Sequence, residues 1–241
     1  MRDAGALWLY GLHTVKAALA NSGRRCHRCL LTRPAADNIG DKALSRVRAE
    51  IVAPEQVSRV LPQGAVHQGV ALSCDPLSPR KIEEIASLPG RKLVLILDQI
   101  ADPHNVGAIL RSAAAFDAAA VVVQERHAPS ESGALAKAAS GALDIIPYLS
   151  VVNIARALEQ LGDHGFWRVA LTGDAGQTLA AAIVSRDLAL VLGSEGTGIR
   201  RLVRERCDDS ATIPISNRME SLNVSNAAAI ALYECRRIDG E

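Results

Sequence analysis

Residues 93–111 read LVLILDQIADPHNVGAILR, and this stretch sets the fold class. Residues 93–97 (LVLIL) are apolar without alternation, the pattern of a strand covered on both faces. A polar turn follows and opens into an Ala-rich helix that buries Ile109, Leu110 and Ala113. A buried strand feeding a helix is the repeating unit of a parallel sheet with helices on either side. Asn105 is of a helix N-cap type, serving either as a plain cap or as a polar group facing a ligand. Arg111, six residues on, must reach a carboxylate, a phosphate or solvent.

The same kind of apolar run recurs at 120–123 (AVVV), 168–171 (RVAL) and 188–192 (LALVL). Helical stretches are expected at 106–116, 154–161, 199–206 and 224–237, so the C-terminal part is α/β. Upstream lies a small α/β unit, with helices expected over 11–20 and 41–49 and strands over 29–31 and 66–72. Two prolines in residues 75–79 (DPLSP) and the Pro89-Gly90 pair break the pattern. The expected organisation is therefore a first domain at 1–75, a linker at 76–91 and a second domain at 92–241.

The chain has 241 residues, 49% apolar and 22% charged, which excludes a disordered chain. Only seven residues are aromatic, which disfavours modules that stack bases on exposed rings. The formal charge of +1 hides an uneven distribution: residues 1–75 hold 10 Lys/Arg against 6 Asp/Glu. The excess is densest at Arg24, Arg25, Arg28 and Arg33, a group that either meets phosphates or forms a solvated face. No apolar run approaches the roughly 18 residues of a membrane span. The apolar stretch within residues 1–11 is too short for a secretory signal. Five cysteines without regular spacing suggest no disulfide framework, and the expectation is a cytoplasmic protein. Cys26 and Cys29 have the spacing of a zinc-ligand pair, but no second pair follows, so no metal is expected. Cys74, Cys207 and Cys235 read as small core fillers. His13 and His67 read as structural, while His104 faces either substrate or solvent.

Two further segments carry chemistry. Residues 192–198 (LGSEGTG) follow a buried strand, and their glycines let backbone amides approach a ligand. Their spacing matches neither the P-loop nor the dinucleotide fingerprint, and Glu195 would repel a bare phosphate. Residues 213–226 (IPISNRMESLNVSN) place Ser221 and Asn223 before an Ala-rich helix, as caps or as donors and acceptors at the same sheet mouth. If the three segments end adjacent strands, they converge where open α/β sheets bind ligands.

In this order and spacing, NVGAILRS (105–112), LGSEGTG (192–198) and SLNVS (221–225) resemble the motifs of a known family. It is the SpoU (TrmH-like) family of S-adenosyl-L-methionine (AdoMet)-dependent RNA ribose 2′-O-methyltransferases. KAASGAL (137–143) is similar to the family segment between the first two motifs, and the resemblance covers residues 91–237. Upstream, GLH (11–13) and HQGV (67–70) are similar to landmarks of the family's substrate-binding domain.

The resemblance implies an α/β protein with a C-terminal trefoil-knotted SPOUT methyltransferase domain behind a small L30e-like substrate-binding domain. It implies a homodimer whose active site uses residues of both subunits. The catalytic set it implies is Asn105, Arg111, Glu195, Ser221 and Asn223, with Arg111 beside the ribose hydroxyl and Asn105 as its positioning partner. AdoMet contacts are implied at Thr172, Gly173, Leu192, Gly193, Ile213, Ser221 and Leu222. The RNA substrate would be gripped by Arg24, Arg25, Arg28 and Arg33 and recognised through shape, phosphates and 2′-hydroxyls. A sulfonium is already a good leaving group, so no metal is needed, and with no long apolar run no membrane partner is expected. The two-domain layout points to members that methylate a guanosine ribose of large-subunit (23S) ribosomal RNA. A transfer-RNA substrate is the near alternative, and a non-catalytic RNA-binding member of the fold is another.

Overall fold

The computed structural model describes residues 7–184 and 186–239. The first six residues of the 1–11 stretch lie outside that range. Two compact units emerge: Met1–Ser78 with Ser130–Ile145, and Pro79–Pro129 with Ile146–Glu241. Residues 130–145 therefore join the first unit, whereas the sequence places them in the second.

The first unit is a four-stranded sheet of β1 (Leu7–Tyr10), β2 (Cys26–Leu31), β3 (Arg48–Ile51) and β4 (Val70–Cys74), ordered β1-β4-β2-β3. β4 is antiparallel to β1 and β2, and β3 is parallel to β2. The helix Leu12–Ala20 turns Thr14, Val15, Ala18 and Leu19 inward. The helix expected over 41–49 is instead a single turn, Asp41–Leu44, followed by β3. Pairing along β2 overrides the local helical pattern there.

Charge explains why residues 130–145 belong to this unit. Arg24 is buried, with Glu131 and Asp144 each 2.6 Å from its guanidinium. It also donates to the Asp75 carbonyl at 3.1 Å. Burial alone would lower its pKa, but the hydrogen bond and charge of Asp144, with those of Glu131, hold it above its ordinary value. A buried cation needs such partners, and both acids lie in the 130–145 segment. The helix Gly133–Ala139 follows, with Gly133 pressed against the Trp8 carbonyl and the Tyr10 ring where a side chain would collide. Thr14 Oγ1 donates to the Ala136 carbonyl at 3.1 Å.

The second unit is a six-stranded, all-parallel sheet: β5 (Leu93–Asp98), β6 (Ala120–Gln124), β7 (Tyr148–Val151), β8 (Trp167–Leu171), β9 (Leu188–Gly193) and β10 (Asp209–Ala211). Its order is β10-β8-β9-β5-β6-β7. Val94, Ile96, Val122 and Val191 pack with Ile85 and Leu158 of the covering helices in one core. The chain steps outward from β5 to β7, crosses back to β8, then fills the gap with β9. That reversal between β5 and β9 is the switch point at which such sheets bind ligands. β10 has only three residues and is held to β8 by Asp208, whose carboxylate accepts from the Arg168 guanidinium at 2.6 and 2.8 Å and from its backbone N–H at 2.9 Å. Those bonds hold the Asp208 carboxyl below its ordinary range. Among the described residues no helix is long and apolar enough to cross a membrane.

Candidate active site

β5 and β9 run in register up to the pair Asp98 and Gly193, so the segments that follow them leave the sheet side by side. Asp98 is fully buried. Its carboxylate accepts the Arg200 backbone N–H at 2.9 Å and lies 2.6–2.9 Å from the guanidinium nitrogens. The loop between Gly193 and Arg200 is thus tied at both ends. Gly193 admits no side chain, because a Cβ would strike the backbone of Gly198 and Ile199. Gly196 and Gly198 take φ of 87° and 66°, which residues with a Cβ adopt at a cost. Glu195 is exposed on this loop.

Asn223 joins the three segments. Its Nδ2 donates to Asn105 Oδ1 at 3.1 Å and to Glu195 Oε1 at 2.7 Å. The same Glu195 oxygen accepts the Val224 N–H at 3.2 Å, at the start of the helix Val224–Asp239, where a negative charge is favoured. Ser225 donates to Asn223 Oδ1 through its N–H at 3.0 Å and its hydroxyl at 2.6 Å, which fixes the Asn223 amide. β10 lies at the sheet edge, so residues 212–223 must travel back past the ends of β8 and β9 to bring Asn223 here.

Three expectations need correction. Asp102, not Asn105, caps the helix Pro103–Ala115, accepting the His104 N–H at 3.0 Å. Asn105 sits in the first turn, where its side chain meets Asn223. Arg111 is exposed and has no hydrogen-bond or ion-pair partner among the described residues, so Asn105 does not hold its guanidinium. Six helical residues rotate the chain about 600° and raise it about 9 Å, which turns the two side chains about 120° apart. Finally, Arg24 is consumed by its buried ion pairs and cannot reach an RNA phosphate.

The remaining residues are placed as follows. Ser221 is exposed two residues before Asn223. Thr172 and Gly173 follow β8, and Arg204, with the buried Thr172 hydroxyl, helps hold the nearby Asp174 carboxyl below its ordinary range. Leu192 is buried in β9, while Ile213 and Leu222 are half-buried at either end of the 213–222 segment. Arg25 is exposed 4.0 Å from Asp75, Arg28 pairs with Glu50 at 2.7 Å, and Arg33 is exposed. Sequence reasoning missed Asp98, Arg200 and Ser225. An acid ending a buried strand and an arginine just past the glycine loop were the available signals for the first two.

A cavity of about 440 Å³ lies apart from Asn223, lined in part by Asp174, Gln177, Arg204 and Asp208 beside β10. Among the described residues no group of three or more His, Cys, Asp or Glu could hold a metal ion. All five cysteines are free, and burial pushes the thiols of Cys29, Cys74, Cys207 and Cys235 up to about 12.

Residues 92–233 match the profile of the SpoU rRNA methylase family, and residues 8–80 match one described as RNA 2′-O ribose methyltransferase substrate binding. The 23S rRNA (guanosine-2′-O-)-methyltransferase RlmB of Vibrio vulnificus is 35% identical over 237 residues, 95% of this chain and 96% of that protein. The protein of the same name from Nitrosomonas europaea is 45% identical over 173 residues, 71% of this chain and 66% of that one. Among solved structures, the SpoU methyltransferase AviRb from Streptomyces viridochromogenes, in complex with AdoMet, superposes with a TM-score of 0.84 at 21% identity, covering 99% of this chain and 92% of that one. At that identity the likeness speaks for the fold alone. A TrmH-family protein from Porphyromonas gingivalis gives a TM-score of 0.80 at 26% identity, covering 98% and 91%. Matched over most of its length by both profile and relatives, this chain belongs to the SpoU rRNA methylase family.

Proposed function

We propose that this protein transfers a methyl group from AdoMet to a ribose 2′-hydroxyl of RNA, with a guanosine of 23S ribosomal RNA as the target. The observation that carries this reading is the direct bonding of Asn223 to both Asn105 and Glu195 at the carboxyl ends of the central strands. Around it, the chain is similar along nearly its whole length to proteins named as 23S rRNA guanosine methyltransferases. A ribosomal RNA substrate supports the cytoplasm as its compartment.

The residues present fit the cofactor. A side chain at Gly173 or Gly196 would meet only open space, so backbone polar groups just after β8 and β9 stay accessible to a ligand. Thr172, Gly173, Leu192, Gly193, Ile213, Ser221 and Leu222 would hold it. AdoMet, when bound, supplies a methyl group on a sulfonium that is already a good leaving group. The protein's share is alignment of the ribose hydroxyl and disposal of its proton, and fixed positioning lowers the barrier substantially. Of the three joined residues Glu195 alone carries a base, because Asn105 and Asn223 end in amides, and although its Oε1 is tethered its carboxylate remains exposed. Arg111 offers a guanidinium, a planar cation that only donates hydrogen bonds. Its role here is to pin the RNA phosphate and stabilise charge developing on the ribose oxygen.

Two further features belong to this reading. The return of residues 212–223 from the sheet edge to its centre supports a threaded, knotted path. An Arg111 without a partner among the described residues, and Ile230 and Tyr233 exposed on the last helix, support a homodimer. The test is transfer of labelled methyl from AdoMet to an unmodified 23S transcript, followed by mapping of ribose methylation. Methylation of a guanosine ribose is expected. Transfer to transfer RNA alone would overturn the substrate, and transfer to neither would overturn the enzyme.

A further inference from the structure

The arginines that crowd together in the N-terminal sequence do not share a surface. β2 spans six residues, about 20 Å at the usual rise, and separates Arg24 and Arg25 at one end from Arg33 at the other. Arg24 is buried among acids and Arg28 pairs with Glu50. Arg33 stands at the opposite edge, where β1 and β2 end and β4 begins. There the Thr32 N–H donates to the Gly69 carbonyl at 2.8 Å, which sets Arg33 beside the 67–69 turn.

Lys137, from the helix Gly133–Ala139, reaches the same edge. Its Nζ donates to Gln68 Oε1 at 2.6 Å, and its stem lies over Gly11, where a side chain would collide with it. The Leu12 N–H donates to the same Gln68 oxygen at 3.2 Å. Gln68 thus spends its acceptor on the protein, leaving its amide nitrogen without a partner among the described residues. Among the described residues neither Lys137 nor Arg33 has a carboxylate partner there, although Lys137 is only half-exposed. A partly buried ammonium beside a neutral amide has lost hydration without gaining a counter-ion, and burial lowers its pKa accordingly. Ammonium, guanidinium and amide N–H groups are donors only, so the ligand they suit is rich in acceptors and anionic.

We propose that Lys137, Gln68 and Arg33 form the phosphate-binding site of the first unit, engaging the backbone of substrate RNA. The proposal rests on the reading of this protein as an RNA methyltransferase and names the residues through which its first unit holds that RNA. It moves the contact away from Arg24, Arg25 and Arg28 to the other edge of the same sheet.

The test measures binding of a 23S transcript to the full chain over a salt series, for Lys137→Gln, Lys137→Arg, Arg33→Gln and Arg25→Gln. AdoMet binding and melting temperature report that each variant is folded. Lys137→Gln and Arg33→Gln should each weaken binding several-fold and lower the salt slope by about 1, while Lys137→Arg keeps the wild-type slope. Unchanged slopes in Lys137→Gln and Arg33→Gln overturn the site. So does a lowered slope in Arg25→Gln with none in those two, which returns the contact to the opposite edge. Methyl transfer by the wild-type protein, scored on the same RNA, separates the two readings. Transfer with unchanged slopes removes this site alone. Lys137-dependent binding without transfer removes the methyltransferase reading and leaves the site standing.

Discussion

The buried carboxylate of Asp98 and the backbone N–H and guanidinium of Arg200 are bonded across 102 residues of sequence. Asp98 ends the central strand, and Arg200 closes the loop that carries Glu195. The position of Glu195 is therefore set by the sheet itself.

Asp98→Asn should cost about 1.5–3 kcal/mol of stability, the scale of a hydrogen bond to a charged group. The Michaelis constant for AdoMet should rise with it, because the 193–200 loop loses its second anchor. Urea unfolding and steady-state kinetics check the two effects. An unchanged constant would show that the loop holds its shape without Asp98.

Glu195→Gln preserves an oxygen for Asn223 and Val224 but cannot take a proton at neutral pH. Turnover should fall by about 10²–10⁴, the usual worth of a general base, while RNA and AdoMet affinities stay near wild type. Single-turnover kinetics at saturating cofactor reads this directly. Wild-type turnover in that variant would send the proton elsewhere.

Arg111 is exposed and has no partner among the described residues, so Arg111→Ala should change stability by less than about 0.5 kcal/mol. Turnover should nevertheless be abolished and AdoMet binding retained. Calorimetry showing lost cofactor affinity would place the arginine in the wrong role.

Much of this architecture was legible from unalternating apolar runs. Those runs marked β5, β6, β8 and β9, and the segments after β5 and β9 supplied Asn105 and Glu195. β1, β7 and β10 escaped notice because three or four residues carry no periodicity to read. Asn105 was recognised by type, but its place was not, since Pro103 starts the helix earlier and leaves the cap to Asp102. The bond between Asn105 and Asn223 spans 118 residues, and no local pattern announces a contact of that range. The role of Arg24 is hidden for the same reason: in sequence it stands among other arginines, and only the fold brings it two acids.

Arg24→Ala should destabilise the protein by about 3–5 kcal/mol, because Glu131 and Asp144 would then lack their buried counter-charge. Arg25→Ala, at an exposed neighbour, should stay within about 0.5 kcal/mol. Denaturant titration of the pair settles the comparison. Equal stabilities would mean that solvent reaches the Arg24 cluster freely.

Four thiols are held near 12 by burial against an ordinary value of 9.0. They stay protonated at pH 8 and should resist a thiol reagent, leaving Cys26, which is half-exposed, to react first. The sign for stability follows. The unfolded chain loses these protons from about pH 9, so the stability they contribute is complete below 9 and is lost as pH rises toward 12. Mass spectrometry of the labelled protein and unfolding at pH 8 and 10 test both statements. Fast modification of Cys29 or Cys235 in the native protein would contradict them.

Arg24 finds its partners 107 and 120 residues further along the chain. During synthesis, then, the N-terminal sheet emerges with a bare cation in its interior and must wait until residue 144 has left the ribosome. Assembly cannot proceed strictly from the amino terminus, because the earlier unit matures only after the later one is well under way. A gene cut at residue 78 would deliver a sheet with an unneutralised charge at its heart, and such a fragment should remain a partner-seeking, aggregation-prone intermediate.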